Sequence, residues 1–170
     1  MNLNKRNIPE LVGETGWYEL NIPASYDITK SFVMGGEAED RLKVKYFFNK
    51  KNKRVYARIY FGSATQGPPG FAHGGSIATV LDETMGIAAW IAGYTVVSIE
   101  LNVKYKKMLP VNGVVTIEAN IDSISNRKVT TKAKIYDNTG TIFSLSDGTY
   151  LNIPKEKFGA IANINDFLKK

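Results

Sequence analysis

The chain of 170 residues holds 22 Lys and Arg, 16 Asp and Glu, one His and no Cys. One domain with a sizeable core fits that length. Disulfides, Cys-ligated zinc, a cysteine nucleophile and a multi-histidine metal site within one subunit are excluded. The net charge of +6 favours anionic partners, such as phosphate-bearing small molecules, nucleic acid or acidic headgroups, and a solvated basic surface accounts for it equally well.

Residues 1–40 are broken by Pro9, Gly13, Gly16, Pro23, Gly35 and Gly36 and read as an adapter segment, with room for local helix or an extra edge strand. The first residues are charged and polar with no apolar run behind them, and no window is apolar enough to span a bilayer. A cytoplasmic protein without stable membrane insertion is the expectation. A main domain over 41–154 and a loose tail over 155–170 complete the expected organisation.

Leu42–Phe48 and Arg54–Phe61 are strand-like, joined by the polar loop 49–53. Residues 62–73 form a loop loaded with Gly and Pro. Gly75 to about Ala92 is the one convincing helix: Ile77, Val80, Leu81, Thr84, Met85, Ala88 and Ile91 recur at helical spacing. The other positions are also small or apolar, so the helix is buried on several sides, with Gly93 as its stop. Four strands follow, Thr95–Lys107, Val114–Ser123, Lys128–Tyr136 and Thr141–Asn152, the last ended by Pro154. In the first of them simple alternation puts Ile99, Leu101, Val103 and Tyr105 on one face, and Ser98, Glu100, Asn102 and Lys104 on the other. The whole reads as an α+β fold in which an antiparallel sheet curls around a central helix.

Gly67-Pro68-Pro69-Gly70-Phe71-Ala72-His73-Gly74-Gly75 is the stretch that carries chemistry. Glycines that open a helix present backbone N–H groups to a developing oxyanion. Asp82, two turns on, is a carboxylate among apolar neighbours, a costly placement unless it is paired or useful. It can activate water or attack a carbonyl. Glu83, about 100° further round, is the competing carboxylate and is expected in a structural ion pair. His73 is expected to fix the loop by bonding backbone, and Ser98 to hold an attacking water beside Asp82. Lys104, Lys106, Lys107, Arg127 and Lys128 offer counter-charge to phosphates, or a solvated edge. Met85, Trp90 and Tyr94 either shape a pocket or fill the core.

Leu42 to Pro154 resembles a hotdog-fold acyl-CoA thioesterase, of the phenylacetate-degradation type and the related thioesterase-superfamily-member proteins. The glycine loop with His73, Asp82 at the family's spacing, Leu101–Pro110, and the turn Asn126-Arg127-Lys128 carry that resemblance. It implies five to six antiparallel strands wrapped around the helix, and two subunits paired edge to edge, with tetramers common. The catalytic set it implies is Gly74, His73, Asp82 and Ser98. Gly74 polarises the thioester carbonyl, and the partner subunit's Asp82 serves as base or nucleophile. Gln66, Gly75, Asn102, Lys104, Arg127 and Lys128 are the substrate-binding set, with no metal and no cofactor beyond the coenzyme A of the substrate. Some relatives carry Asn or another polar residue six positions before the His-Gly pair. Here that position is Gly67, and Gln66 beside it is the candidate substitute. The rival readings are a dehydratase or hydratase of hydroxyacyl or enoyl thioesters on the same fold, a non-catalytic acyl-CoA-binding module, and, weakest, a nucleic-acid binder.

Overall fold

A computed structural model of the chain describes residues 8–22, 28–35, 38 and 40–158. The rest of the expected adapter (residues 1–7, 23–27, 36, 37 and 39) and the tail beyond 158 lie outside the described residues. The elements run β1 (Tyr18–Glu19), β2 (Leu42–Asn49), β3 (Arg54–Phe61), α1 (Gly74–Ile91), β4 (Val96–Tyr105), β5 (Gly113–Ser125), β6 (Lys128–Tyr136) and β7 (Ile142–Asn152). All strands join one antiparallel sheet in the order β1-β2-β3-β5-β6-β7-β4.

The helix lies against the concave face of this sheet and touches β3, β4, β5, β6 and β7. Nine of its residues, from Ile77 to Ile91, are buried, which explains a sequence apolar nearly all round. Val55, Ala57 and Ile59 of β3, Ile117 and Ala119 of β5, and Val129 and Ile135 of β6 close on Val80, Leu81 and Met85 to form the core. No helix among the described residues is long and apolar enough to cross a membrane.

Seven strands stand where five or six were expected. The additional one is β1, two residues from the N-terminal segment that pair Tyr18 with Phe48 and Glu19 with Phe47 on the edge of β2. Its neighbour Trp17 reaches the convex face and stacks on Tyr56, with ring centroids 3.9 Å apart and 16° between planes. Arg58 on the same face pairs with Glu14 at 2.8 Å and lies over the Trp17 ring. This cover explains why β3 is buried on both faces and lacks alternation.

The other edge of the sheet is β4, and it is open. Val97, Ile99, Leu101 and Tyr105 remain exposed there, Ile99 by 51% and Tyr105 by 52%. A bulge between Ser98 and Glu100 leaves Ile99 outside the ladder with β7. The bulge changes which side chains share a face. Ser98 stands opposite Tyr150, and Leu101, Val103 and Tyr105 stand opposite Gly148, Ser146 and Ser144. Residues directly opposed in an antiparallel pair point to the same side. Ser98 therefore lies on the helix face with Leu101, Val103 and Tyr105, not on the far face that strict alternation assigns it.

Replacing Trp17 with Ala removes one ring of the stack and uncovers Tyr56. A loss of about 2 kcal/mol, part of the usual cost of truncating a large aromatic, translates into a melting temperature lower by about 4–8 °C. Thermal melts of W17A against the unaltered chain check this.

Candidate active site

The glycine loop is built by short-range bonds. Phe71 N–H donates to Pro68 O at 2.9 Å, closing a turn with Gly70 at φ +83°, a conformation that glycine adopts without strain. Single bridges join Gln66 to Ala72 and Phe71 to Pro110. His73 N–H donates to Thr65 O at 2.8 Å, and Ala72 N–H to Leu109 O at 2.8 Å. The loop is thus stitched to its own base and to the strand connection at 109–110.

His73 caps the helix. Its Nδ1 accepts from Gly75 N–H at 2.9 Å, which requires the imidazole proton on Nε2. This is the loop-fixing role expected from the sequence. It also explains Gly75, because a Cβ there would come within 2.9 Å of that Nδ1. Gly67 is constrained in the same way: its Cβ would lie 3.1 Å from the His73 backbone and ring. Tyr105, at the far end of β4, donates its O–H to Gly74 O at 2.8 Å. The Gly74–Gly75 peptide is therefore clamped at both ends, its carbonyl by Tyr105 and its N–H by His73. The Gly74 N–H, at the first helical position, makes no hydrogen bond among the described residues. Of the two glycines, Gly74 is the one with an amide to offer.

Asp82 is half-buried on the flank of α1. Its Oδ1 accepts from the Tyr150 O–H at 2.9 Å, and Ser98 Oγ lies 3.5 Å from Oδ2, a loose contact. Glu83 faces elsewhere. It meets the Tyr46 hydroxyl, and among the described residues no cation pairs with it, so a phenol stands where an ion pair was expected. Burial pushes the Glu83 carboxyl above its usual range, and the Asp82 charge adds to this, against the lowering effect of the Tyr46 bond.

Two cavities flank the helix start. One of about 610 Å³ is lined by Arg41, Gln66, His73, Gly75, Ser76 and Thr79 together with residues 31–33 and Gly35. Gln66 spends its carbonyl oxygen on Gly70 N–H at 2.9 Å, a bond internal to the loop. The other cavity, about 340 Å³, is lined by Phe71, Gly74, Ile77, Tyr105 and Met108, with Lys106 and Lys107 at its wall. Lys104 and Asn102 lie elsewhere. Opposite Leu145 and Asp147 of β7, they occupy the convex face, and Lys104 lines a separate hollow there with Glu118, Lys132 and Lys134. Arg127 and Lys128 sit at the β5–β6 turn beside the start of β4, where Arg127 Nε reaches Asn152 O at 3.4 Å. Met85 is fully buried core, and Trp90 and Tyr94 pack against it. Tyr150 and Tyr105 escaped the sequence reading, because the residues they bind lie 68 and 31 positions away.

The thioesterase superfamily model matches residues 69–144, the segment that holds the helix, Asp82 and β4 to β6. The domain has the hotdog thioesterase fold. Acyl-coenzyme A thioesterase THEM4 of Rattus norvegicus is 33% identical over 129 residues, covering 74% of this chain and 56% of that protein. Acyl-coenzyme A thioesterase THEM5 of Homo sapiens is 32% identical over 112 residues, 65% of this chain and 45% of that protein. The chain thus spans about half the length of these curated relatives. A protein from Bacillus halodurans crystallised with CoA superposes with a TM-score of 0.54 at 25% identity, over 58% of this chain and 66% of that one.

The raised Glu83 pKa has a signed consequence for the hotdog's stability. In the unfolded chain Glu83 ionises in the ordinary carboxyl range, whereas the folded environment resists that charge. The fold therefore loses stability as pH rises through and above the unfolded value, up to the folded one. Glu83→Gln removes this cost. Its melting temperature relative to the unaltered protein is expected to be higher at pH 8 than at pH 4, and melts at the two pH values read the difference.

Proposed function

We propose that this domain hydrolyses acyl-CoA thioesters to a free acid and coenzyme A, as a dimer whose active sites each draw on both subunits. The observation that carries the proposal is the separation of two complementary groups. Gly74 offers an unpaired N–H, and Asp82 offers a carboxylate held by Tyr150. Eight residues of helix put them about 12 Å apart along its axis. A thioester carbonyl and the water attacking it need groups within about 3 Å of one reacting centre. One subunit cannot supply both.

The open edge resolves this. Gly74 is tied to Tyr105 at one end of β4, and Asp82 lies by Ser98 at the other. Antiparallel pairing of two β4 strands about a two-fold axis sets the Tyr105 end of one against the Ser98 end of its neighbour. The same pairing covers the exposed Val97, Ile99 and Leu101.

In the reaction, the Gly74 N–H donates to the thioester oxygen as it gains charge. Asp82 Oδ2 takes a proton from water, the water oxygen bonds to the carbonyl carbon, and the C–S bond breaks. The thiolate leaves with its electron pair and recovers the proton from Asp82. The alternative route begins with attack by Asp82 itself on the carbonyl carbon: the C–S bond breaks, the thiolate leaves, and water then opens the mixed anhydride, releasing the acid, restoring the Asp82 carboxylate and supplying the proton that the thiolate takes up. Lys106 and Lys107, on the cavity of Gly74, and Arg127 and Lys128, near the start of β4, are the counter-charges for coenzyme A phosphates. The chain's own groups supply the chemistry without a metal or further cofactor.

The rival dehydratase chemistry calls on His73 as a proton carrier. Its Nδ1 is already committed to the helix cap, which favours hydrolysis.

Thiol release from a panel of acyl-CoAs, followed with a disulfide reagent, tests the activity. Asp82→Asn is expected to lower kcat by about 10²–10⁴, the range for a positioned acid–base group. Hydration of an enoyl thioester without free thiol would instead support the dehydratase.

A further inference from the structure

Tyr150 has no place in the reaction as written, yet it makes the shortest contact to the carboxylate that does. Its hydroxyl lies 2.9 Å from Asp82 Oδ1 and 3.0 Å from the Asp82 backbone oxygen. The residue is 2% exposed, and its ring occupies a slot between two glycines. A Cβ on Gly148 of β7 would come within 2.8 Å of the ring, and one on Gly86, a helical turn beyond Asp82, would lie 3.8 Å from it. The ring is therefore fixed by sheet and helix together. Across the ladder stands Ser98, whose Oγ is 3.5 Å from the other carboxylate oxygen.

We propose that Tyr150 is the positioning residue of the catalytic carboxylate: its O–H pins Oδ1 to the sheet, which leaves Oδ2 beside Ser98 as the oxygen that meets the reacting water. This rests on the reading of Asp82 as the group that activates water or attacks the carbonyl. A carboxylate on a helix flank is otherwise free to rotate about χ1 and χ2. An anchored one keeps Oδ2 within reach of a water near Ser98, and small errors in such placement are costly in rate. The arrangement needs Tyr150 to stay protonated. Burial, with the Asp82 charge behind it, pushes its phenol far above the ordinary value, so it remains a donor throughout the working range.

The test uses the full chain with an acyl-CoA that it turns over. Tyr150→Phe keeps the ring and removes the donor. Loss of a hydrogen bond to a charged group predicts a kcat about 10- to 100-fold lower, while KM should stay within about threefold because Tyr150, 2% exposed, offers substrate almost no surface. In the Asp82→Asn background the same change should cost little more, since the anchored group no longer acts as a base. Gly148→Ala is the independent arm: it displaces the ring and should lower kcat in the unaltered chain, but add little to Y150F. A kcat within about twofold of the unaltered protein in Y150F, or a loss of equal size in the D82N background, overturns the assignment of Tyr150 alone. No thioester hydrolysis by the unaltered protein, or full turnover by D82N, overturns the reading on which it rests.

Discussion

The rise of an α-helix is the constraint on which this structure depends. Gly74 and Asp82 share a rigid element enclosed by the sheet, and no side-chain motion closes a gap of about 12 Å. The helix start is a donor without an acceptor, and the helix flank is a base without a substrate. In the proposed reaction each is half of a catalytic centre, and β4 is the open edge through which a second subunit would bring the two halves together.

Much of the remaining architecture serves those halves. The Pro-Gly turn, the His73 cap and the Tyr105 bond immobilise the Gly74–Gly75 peptide. That rigidity suits an oxyanion site, because donors already aimed need no reorganisation as charge develops. The carboxylate is treated in the same way. Tyr150, seated between Gly86 and Gly148, approaches it from the sheet, and the bulge at Ile99 turns Ser98 toward it. The N-terminal segment does something else: with Trp17 and β1 it covers the convex face of β3 and the β2 edge. One edge of the sheet is blunted and the other left free, which restricts where a second copy can add.

What could be read directly from the residues was whatever rests on local chemistry. Helical spacing marks α1 to within a residue or two, and Pro68-Pro69-Gly70 announces its turn. His73 before two glycines has no better use than capping them. The relation of Asp82 to the glycines follows from the same periodicity. Three things were hidden because they depend on tertiary context. A bulge does not announce itself in an alternating strand, so Ser98 falls on the wrong face when β4 is read by period two. Glu83 meets the phenol of Tyr46, a partner no spacing rule points to. Tyr150 and Asp82 meet only because β7 lies next to the edge strand and against the helix. The extra edge strand for which the N-terminal segment left room forms at Tyr18–Glu19, because the β2 edge offers unpaired backbone; the glycines around it hid its position, not its possibility.

Subunit complementation tests the shared site most directly. Gly74→Pro removes the unpaired N–H, and proline is tolerated at the first helical position. His73 already has φ −65° and ψ 138°, the backbone favoured before proline. Alone, neither Gly74→Pro nor Asp82→Asn protein should turn over acyl-CoA at more than about a hundredth of the unaltered rate. Dissociated and reassembled in equal amounts, they should recover about a quarter of the unaltered activity: half the dimers are mixed, and each of those has one intact site of two. A mixture no more active than its parents, with subunit exchange verified, would contradict a site built from Gly74 of one protomer and Asp82 of its partner.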